Sequence, residues 1–122
     1  MATRGIRGAI TIYNDTPEEI YTAIDTLFTA LIEKNSGLSQ EDVSSILITV
    51  TQDIRSAFPA KAIREMGWRM VPMLCAQEIP VEGSMPLCIR VLVHWNTELP
   101  QSEMTHIYLR EATKLRPELA EI

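Results

Sequence analysis

The chain contains little that would hold a metal ion, a nucleotide or a disulfide framework. Its 122 residues include only two cysteines and two histidines. Cys75, Cys88, His94 and His106 show none of the close spacings, such as CxxC or HExxH, that are typical of metal sites. Two cysteines make no disulfide framework, and neither a P-loop nor a GxGxxG motif is present. We therefore expect no metal and no nucleotide cofactor.

Long apolar runs and an excess of basic residues are also missing. No apolar run approaches the about 18 residues of a membrane span, and residues 1–8 lack the apolar segment of a signal peptide. The net charge of −5 argues against a protein that binds along the phosphate backbone of nucleic acid. With 46% apolar and 22% charged residues, the composition is that of a globular domain and argues against disorder. We expect one cytoplasmic domain over 1–122 that binds neither nucleic acid nor membrane.

The clearest local pattern predicts a helix over 17–35. Thr16-Pro17-Glu18-Glu19 is a capping box with proline at the first helical position. The apolar residues from Ile20 to Ile32 then form one stripe with helical periodicity, and Gly37 is the natural stop.

Apolar, β-branched segments predict five strands, at 4–13, 46–51, 71–75, 87–95 and 106–109. A short helix is expected over 59–66, with helical turns at 39–42 and after 109. The fold class is therefore α/β (α+β), a mixed five-stranded sheet with one long helix and short helices. The strands at 46–51 and 87–95 look buried on both sides, whereas one long helix covers only part of one face. We expect a partner subunit to cover the remainder, in a homo-oligomer.

Two arginines lie within predicted strands. Arg90 interrupts the most apolar strand, where an unpaired charge would be very costly, so it either forms a structural ion pair or binds a ligand anion. Arg7 is flanked by Gly5 and Gly8, which allow close approach of a ligand, but an edge strand with Arg7 in solvent is the alternative.

The other candidate site residues can also be explained by ordinary structural roles. Glu78 follows the third strand, where a loop glutamate is usually solvated, and Lys61 and Arg64 share one face of the short helix, either in solvent or as a gate for a small anion. Cys75 lacks a nearby base and is a poor nucleophile, and Tyr108 is either a buried phenol or a hydrogen-bond donor. Cations without a nucleophile–base pair favour binding of a small carboxylated molecule over hydrolysis.

Five segments, in this order, resemble the AroH-class chorismate mutases over essentially the whole chain. They are Arg4-Gly5-Ile6-Arg7-Gly8-Ala9, Phe58-Pro59-Ala60-Lys61-Ala62, Val71-Pro72-Met73-Leu74-Cys75 with Gln77-Glu78, Cys88-Ile89-Arg90-Val91, and His106-Ile107-Tyr108-Leu109 followed by Leu115-Arg116-Pro117. The resemblance implies a homotrimer that packs as a pseudo-α/β-barrel, with active sites between neighbouring subunits. The implied reaction is the rearrangement of chorismate to prephenate, on the route to phenylalanine and tyrosine, without metal or cofactor.

The resemblance also implies a role for each residue of the site. Arg90 would reach the ether oxygen and a carboxylate of chorismate, and Arg7 would bind a carboxylate. Glu78 would accept a hydrogen bond from the ring hydroxyl beside Cys75, through its side chain or backbone, and Tyr108 would donate to the side-chain carboxylate. The pocket wall would consist of Phe58, Ala60, Met73 and the backbone of Leu74. Leu115 would close over the pocket. The cationic rim would consist of Lys61, Arg64 and Arg116. Apart from the resemblance, the tail from 115 to 122 is short and could tighten only when ligand binds.

Two other functions fit the same residues. A trimeric ligand-binding or regulatory protein would use the cationic pocket to sense a small carboxylate, although a sensor needs no donor at an ether oxygen. A small trimeric enamine/imine deaminase would have a similar shape, but its reaction consumes water, whereas a mutase needs none.

Overall fold

The computed structural model describes residues 1–115, which form a five-stranded sheet with two α-helices. The strands are β1 (Ala2–Thr11), β2 (Val43–Val50), β3 (Met73–Gln77), β4 (Cys88–Thr97) and β5 (Ile107–Leu109). The helices are α1 (Pro17–Lys34) and α2 (Pro59–Glu65), and three 3₁₀ segments lie at Gln40–Asp42, Gln101–Glu103 and Arg110–Lys114. Within residues 1–115 no helix is long and apolar enough to cross a membrane.

The order of the strands explains why both helices lie on one side of the sheet. The order is β3-β2-β4-β1-β5, with β4 antiparallel to β1 and β2, so β1, β2 and β3 all run in the same direction. The connections through α1 and α2 both step towards the β3 edge. Because such crossovers are right-handed, two steps in one direction place both helices on the same face. In the described part of the chain, the other face carries no α-helix.

One main core fills the space between the sheet and the two helices. The apolar stripe of α1, including Ile24, Leu27 and Phe28, is fully buried against the sheet. Gly8 allows this close packing, because a Cβ atom there would lie 3.0 Å from Val91 and 3.2 Å from Leu27. The α1 prediction is confirmed: the Thr16 hydroxyl accepts the Glu19 N–H, and the helix ends one residue before the predicted limit.

Residues 1–115 cover the opposite face, which we call the open face, only at one end. Burial alternates along β2 and β4, so these strands are buried on one side only within this chain, which corrects the expectation of two buried sides. On the open face Leu47 is 36% exposed and Leu74 is 67% exposed. The 3₁₀ segment Arg110–Lys114 folds over the far end and buries Ala9, Tyr108 and Ala112 in a small second cluster.

The predicted fold class is confirmed, while most strand limits shift by one to three residues. β1 lies at Ala2–Thr11 rather than 4–13, β2 begins at Val43 rather than 46, and β3 lies at Met73–Gln77 rather than 71–75. β4 and β5 begin one residue later than predicted, and β4 extends to Thr97. Pairing partners decide these limits: β1 and β4 match residue for residue from Ala2↔Thr97 to Thr11↔Cys88, which local sequence does not specify.

Candidate active site

A cavity of about 300 Å³ lies on the open face and is lined by two arginines. Register places its centre: Thr49, Arg90, Ala9 and Tyr108 are neighbours across four strands, in that order. Because the small Ala9 separates Arg90 from Tyr108, the row leaves a hollow between two large polar side chains. The full lining is Arg7, Gly8, Ala9, Leu47, Thr49, Arg90, Val91, Leu92, Tyr108 and Leu115.

Arg90 carries a cation that is only loosely paired. Its Nε lies 3.7 Å from Oε2 of Glu78, and the two side chains are 36% and 30% exposed. Within residues 1–115 this buried Nε has no hydrogen-bond partner. An unsatisfied buried donor is costly, and such groups concentrate at sites that serve a function. Glu78 is not a solvated loop residue, since its carboxylate accepts a 2.8 Å hydrogen bond from Thr49 and its N–H donates to Val50.

Arg7 lies on the same face but is exposed. The alternative of an edge strand is wrong, because β1 runs between β4 and β5. The Arg7 N–H donates to Nδ1 of His106, which fixes the backbone at this position. The Arg7 side chain is therefore carried by an interior strand and projects from the open face.

Tyr108 reaches the cavity from β5, and Leu115 reaches it from the end of the 3₁₀ segment that follows. Arg110 adopts a left-handed conformation with φ of 57°, which turns the chain from β5 into the 3₁₀ segment. Its Nη1 donates to the Thr11 carbonyl, and the Glu111 N–H donates to the Thr11 hydroxyl. A non-glycine residue in this region is strained, so the surrounding contacts must hold it. Leu115, which follows this segment, is one of the residues that line the cavity.

A second cavity, of about 390 Å³, lies at the β3 edge and is lined by two other predicted residues. It is lined in part by Phe58, which is 73% exposed, and by Cys75. Cys75 pairs in register with Ile48, whose side chain lies in the main core, so Cys75 belongs to the helix face of the sheet. Arg90 and Cys75 therefore do not meet within one chain.

The remaining predicted residues lie elsewhere on the chain. Ala60 is buried in the main core, and Met73 packs against that core. Leu74 is exposed on the open face. Lys61 and Arg64 line a shallow pocket on α2, where Nζ of Lys61 lies 5.6 Å from the centre of the Tyr21 ring. Arg116 and the tail beyond Leu115 lie outside the described residues.

One carboxylate and one thiol near these cavities have shifted pKa values. Burial acts to raise the pKa of Asp15, but hydrogen bonds from the Ser56 hydroxyl and from the N–H groups of Arg55 and Ser56 lower it overall. These bonds tie the loop before Phe58 to the start of α1. Burial raises the pKa of the Cys88 thiol, more than the charge of Arg90 lowers it.

Sequence reasoning missed Thr49, Leu47 and Leu92 as cavity residues. The available signal was alternation: in Ile46-Leu47-Ile48-Thr49, the second and fourth residues must share a face. Treating this strand as buried on both sides hid that signal. Among residues 1–115, no group of three or more His, Cys, Asp or Glu residues is arranged to hold a metal ion.

Comparison with known proteins assigns the chain to a family. The family model "Chorismate mutase type I" matches residues 3–119. The chain belongs to the chorismate mutase type I family. The activity of this family member is that of a chorismate mutase, an isomerase, and the resemblance read from its sequence is confirmed.

Curated relatives and a solved structure support this assignment over nearly full length. The chorismate mutase AroH of Thermus thermophilus is 52% identical over 116 residues, covering 95% of each chain. The chorismate mutase AroH of Bacillus subtilis strain 168 is 44% identical over 121 residues, covering 98% of this chain and 94% of the relative. A solved chorismate mutase from Clostridium thermocellum superposes with a TM-score of 0.87 at 43% identity, covering 90% of this mutase and 97% of that chain.

Proposed function

We propose that the cavity around Arg90 is one half of an active site completed by a second subunit, and that chorismate rearranges there to prephenate without covalent catalysis. In this pericyclic step the ether C–O bond breaks as a C–C bond forms, so no external proton, nucleophile or electron is needed. The protein must hold the compact diaxial conformer and stabilise the charge that grows on the ether oxygen. A rate gain of ~10⁶ requires about 8 kcal/mol.

The loosely paired guanidinium of Arg90 is the observation that carries this proposal. Its buried Nε has no hydrogen-bond partner within residues 1–115 and points to a role beyond a structural ion pair. A guanidinium is planar and can serve two acceptors at once, so Arg90 reaches both the ether oxygen and a carboxylate. A fixed donor at a developing charge contributes about 3–4 kcal/mol to catalysis.

The other polar residues of this half-site match the remaining groups of the substrate. Arg7 and Tyr108 line the cavity with Arg90 and bind the carboxylates of the dianion. Glu78, beside Arg90, accepts a hydrogen bond from the ring hydroxyl. Leu115 closes over the bound substrate, and Arg116 extends the cationic rim.

The division of the predicted residues into two cavities favours a site shared between subunits. Phe58 and Cys75 line the cavity at the β3 edge, whereas Arg90 lies on the open face. A neighbouring subunit that brings its β3 edge to this open face completes the pocket with Phe58, Ala60, Met73, the Leu74 backbone and Cys75. Lys61 and Arg64 of that subunit then lie at the entrance and attract the dianion.

A homotrimer that packs as a pseudo-α/β-barrel is the assembly we propose. The open face exposes Leu47 and Leu74, and β3 is an edge strand of the sheet formed by residues 1–115. Such a surface promotes association unless it is covered, and in a cyclic trimer each subunit covers this surface of its neighbour. We place the enzyme in the cytoplasm, on the route to phenylalanine and tyrosine.

The test is conversion of chorismate by purified wild type and Arg90→Ala, with EDTA present and prephenate identified as the product. We expect rapid conversion by wild type and a loss of at least about a hundredfold in the variant, consistent with loss of a transition-state donor. A folded Arg90→Ala variant with wild-type turnover would overturn the proposed role of this cavity.

A further inference from the structure

Among residues 1–115, Thr49 is the one polar side chain lining the cavity to which the proposed reaction gives no task. It lies on β2, directly across from Arg90 on β4 and from Ala76 on β3. Its hydroxyl donates a 2.8 Å hydrogen bond to Oε2 of Glu78. Thr49 thus contacts the carboxylate of the site while neighbouring its principal cation.

Glu78 is held by β2 at two points. Its N–H donates to the Val50 carbonyl over 2.8 Å, and its carboxylate accepts from the Thr49 hydroxyl. Within residues 1–115 the structure gives the Glu78 carboxylate no other hydrogen bond. The side chain, which follows the end of β3, is therefore turned towards the open face by adjacent residues of one neighbouring strand.

The position of the shared oxygen is informative. Oε2 lies 2.8 Å from the Thr49 hydroxyl but 3.7 Å from Nε of Arg90, too far for a hydrogen bond. An arginine and a carboxylate this close usually form a shorter, hydrogen-bonded pair. Such a pair would occupy the guanidinium that the reaction requires.

We propose that Thr49 is a positioning residue that holds the Glu78 carboxylate apart from Arg90 by engaging Oε2. Two consequences follow, and both rest on the proposed function. Nε of Arg90 stays available to the substrate, and Oε1 of Glu78 remains open to accept the ring hydroxyl. Thr49 touches no reacting atom and acts only through Glu78.

The test compares Thr49→Val, which replaces the hydroxyl by a methyl group of similar shape, with Thr49→Ser, which keeps the hydroxyl. We expect Thr49→Val to lower kcat by about ten- to a hundredfold, the range for losing a hydrogen bond to a charged group. Thr49→Ser should stay within about threefold of wild type, because its hydroxyl still reaches Glu78. A matched control is Thr3→Val on β1, whose hydroxyl donates to Asn96 away from the cavity; it should leave kcat unchanged.

A double-mutant cycle separates positioning from a merely structural role. In a Glu78→Ala background, Thr49→Val should change kcat by less than about twofold, because the group it positions is gone. An equal loss in both backgrounds, or equal activity of Thr49→Val and Thr49→Ser, would overturn the inference. Thr49→Ala provides a second hydroxyl-free variant should Thr49→Val fold poorly.

The same experiment distinguishes this inference from the proposed function. If Glu78→Ala and Arg90→Ala are both fully active, the site itself is misassigned. If those variants are impaired while folded Thr49→Val turns over like wild type, only the role of Thr49 fails.

Discussion

Arg90 and Cys75 lie on opposite faces of the five-stranded sheet. Cys75 pairs in register with Ile48, which lies in the core beneath the helices, whereas Arg90 pairs with Thr49 one residue along β2. Because successive side chains of a strand point to opposite faces, this one-residue offset separates the two side chains by the thickness of the sheet. Any site that uses both must take them from different subunits.

This separation predicts that two inactive variants restore activity when they are mixed. Arg90→Ala damages the open-face half of the site, and Phe58→Asp places a carboxylate that repels the dianion in the other half. Phe58 is 73% exposed, so this change should not disturb folding. In the proposed trimer, reassembled from equal amounts of the two variants, about a quarter of the sites should have both halves intact. The measurement is chorismate turnover after denaturation and joint refolding.

Two controls frame the mixing experiment. Met70→Asp introduces the same charge at an even more exposed apolar residue and should keep wild-type activity. Refolding each variant alone should give no recovery. If the mixture stays as inactive as its components although mixed trimers form, the two halves lie in one subunit and the proposed assembly is wrong.

Arg90→Lys should be severely impaired although the positive charge is retained. The lysine ammonium is a compact point charge, so it lacks the planar fork with which a guanidinium donates to two acceptors at once. We expect kcat to fall by about 10²–10³, the cost of losing a fixed donor at the developing charge. Steady-state kinetics would check this, with Arg4→Lys on β1 as control, since the Arg4 Nε donates to the Leu99 carbonyl away from the cavity. Turnover near that of wild type would remove Arg90 from its proposed role.

Local sequence predicted the elements well, because their signals are local. The capping box at Thr16 and the stripe of α1 specify that helix whatever surrounds it. Strand limits depend on partners: β3 begins two residues later than predicted because its parallel register with β2 pairs Ile46 with Met73. No pattern within either segment encodes that register.

The candidate site was predicted residue by residue, but its distribution over the molecule was not. The resemblance supplied Arg90 and Cys75 together, and only the sheet register shows that they face apart. Thr49 escaped notice because a threonine within an apolar strand fits a β-branched pattern. Its hydrogen bond to Glu78 joins residues 29 positions apart, beyond the reach of spacing arguments.

Asp15→Asn should reduce stability near neutral pH but not in strong acid. The folded state lowers the pKa of Asp15, because the hydrogen bonds from Ser56 and Arg55 outweigh its desolvation. A lowered folded pKa stabilises the protein above the ordinary aspartate pKa of about 3.9, and this contribution disappears as the pH falls through the lowered value. Since the group is partly exposed, we expect a loss of about 1 kcal/mol or less, or roughly 2–4 °C in Tm.

Thermal unfolding of wild type and Asp15→Asn across pH would check this prediction. Asp25→Asn on the exposed side of α1 is the matched control and should leave the Tm close to that of wild type near neutral pH. A Tm difference that widens on acidification would contradict the sign of the linkage.

Gly8→Ala should destabilise the fold, whereas Gly5→Ala should be nearly neutral. The two glycines lie three residues apart on β1, and neither has a left-handed backbone. A Cβ atom at Gly8 would lie 3.0 Å from Val91 and 3.2 Å from Leu27, in the packed layer between sheet and helix, so the neighbours must move. Overpacking of this kind costs about 1–3 kcal/mol.

At Gly5 the nearest atom to an added Cβ, from Leu92, is 3.4 Å away, which is an ordinary contact. Denaturant unfolding at one protein concentration would compare the two variants, since in the proposed trimer the midpoint would depend on concentration. Equal midpoints would show that α1 can shift to admit the extra methyl group.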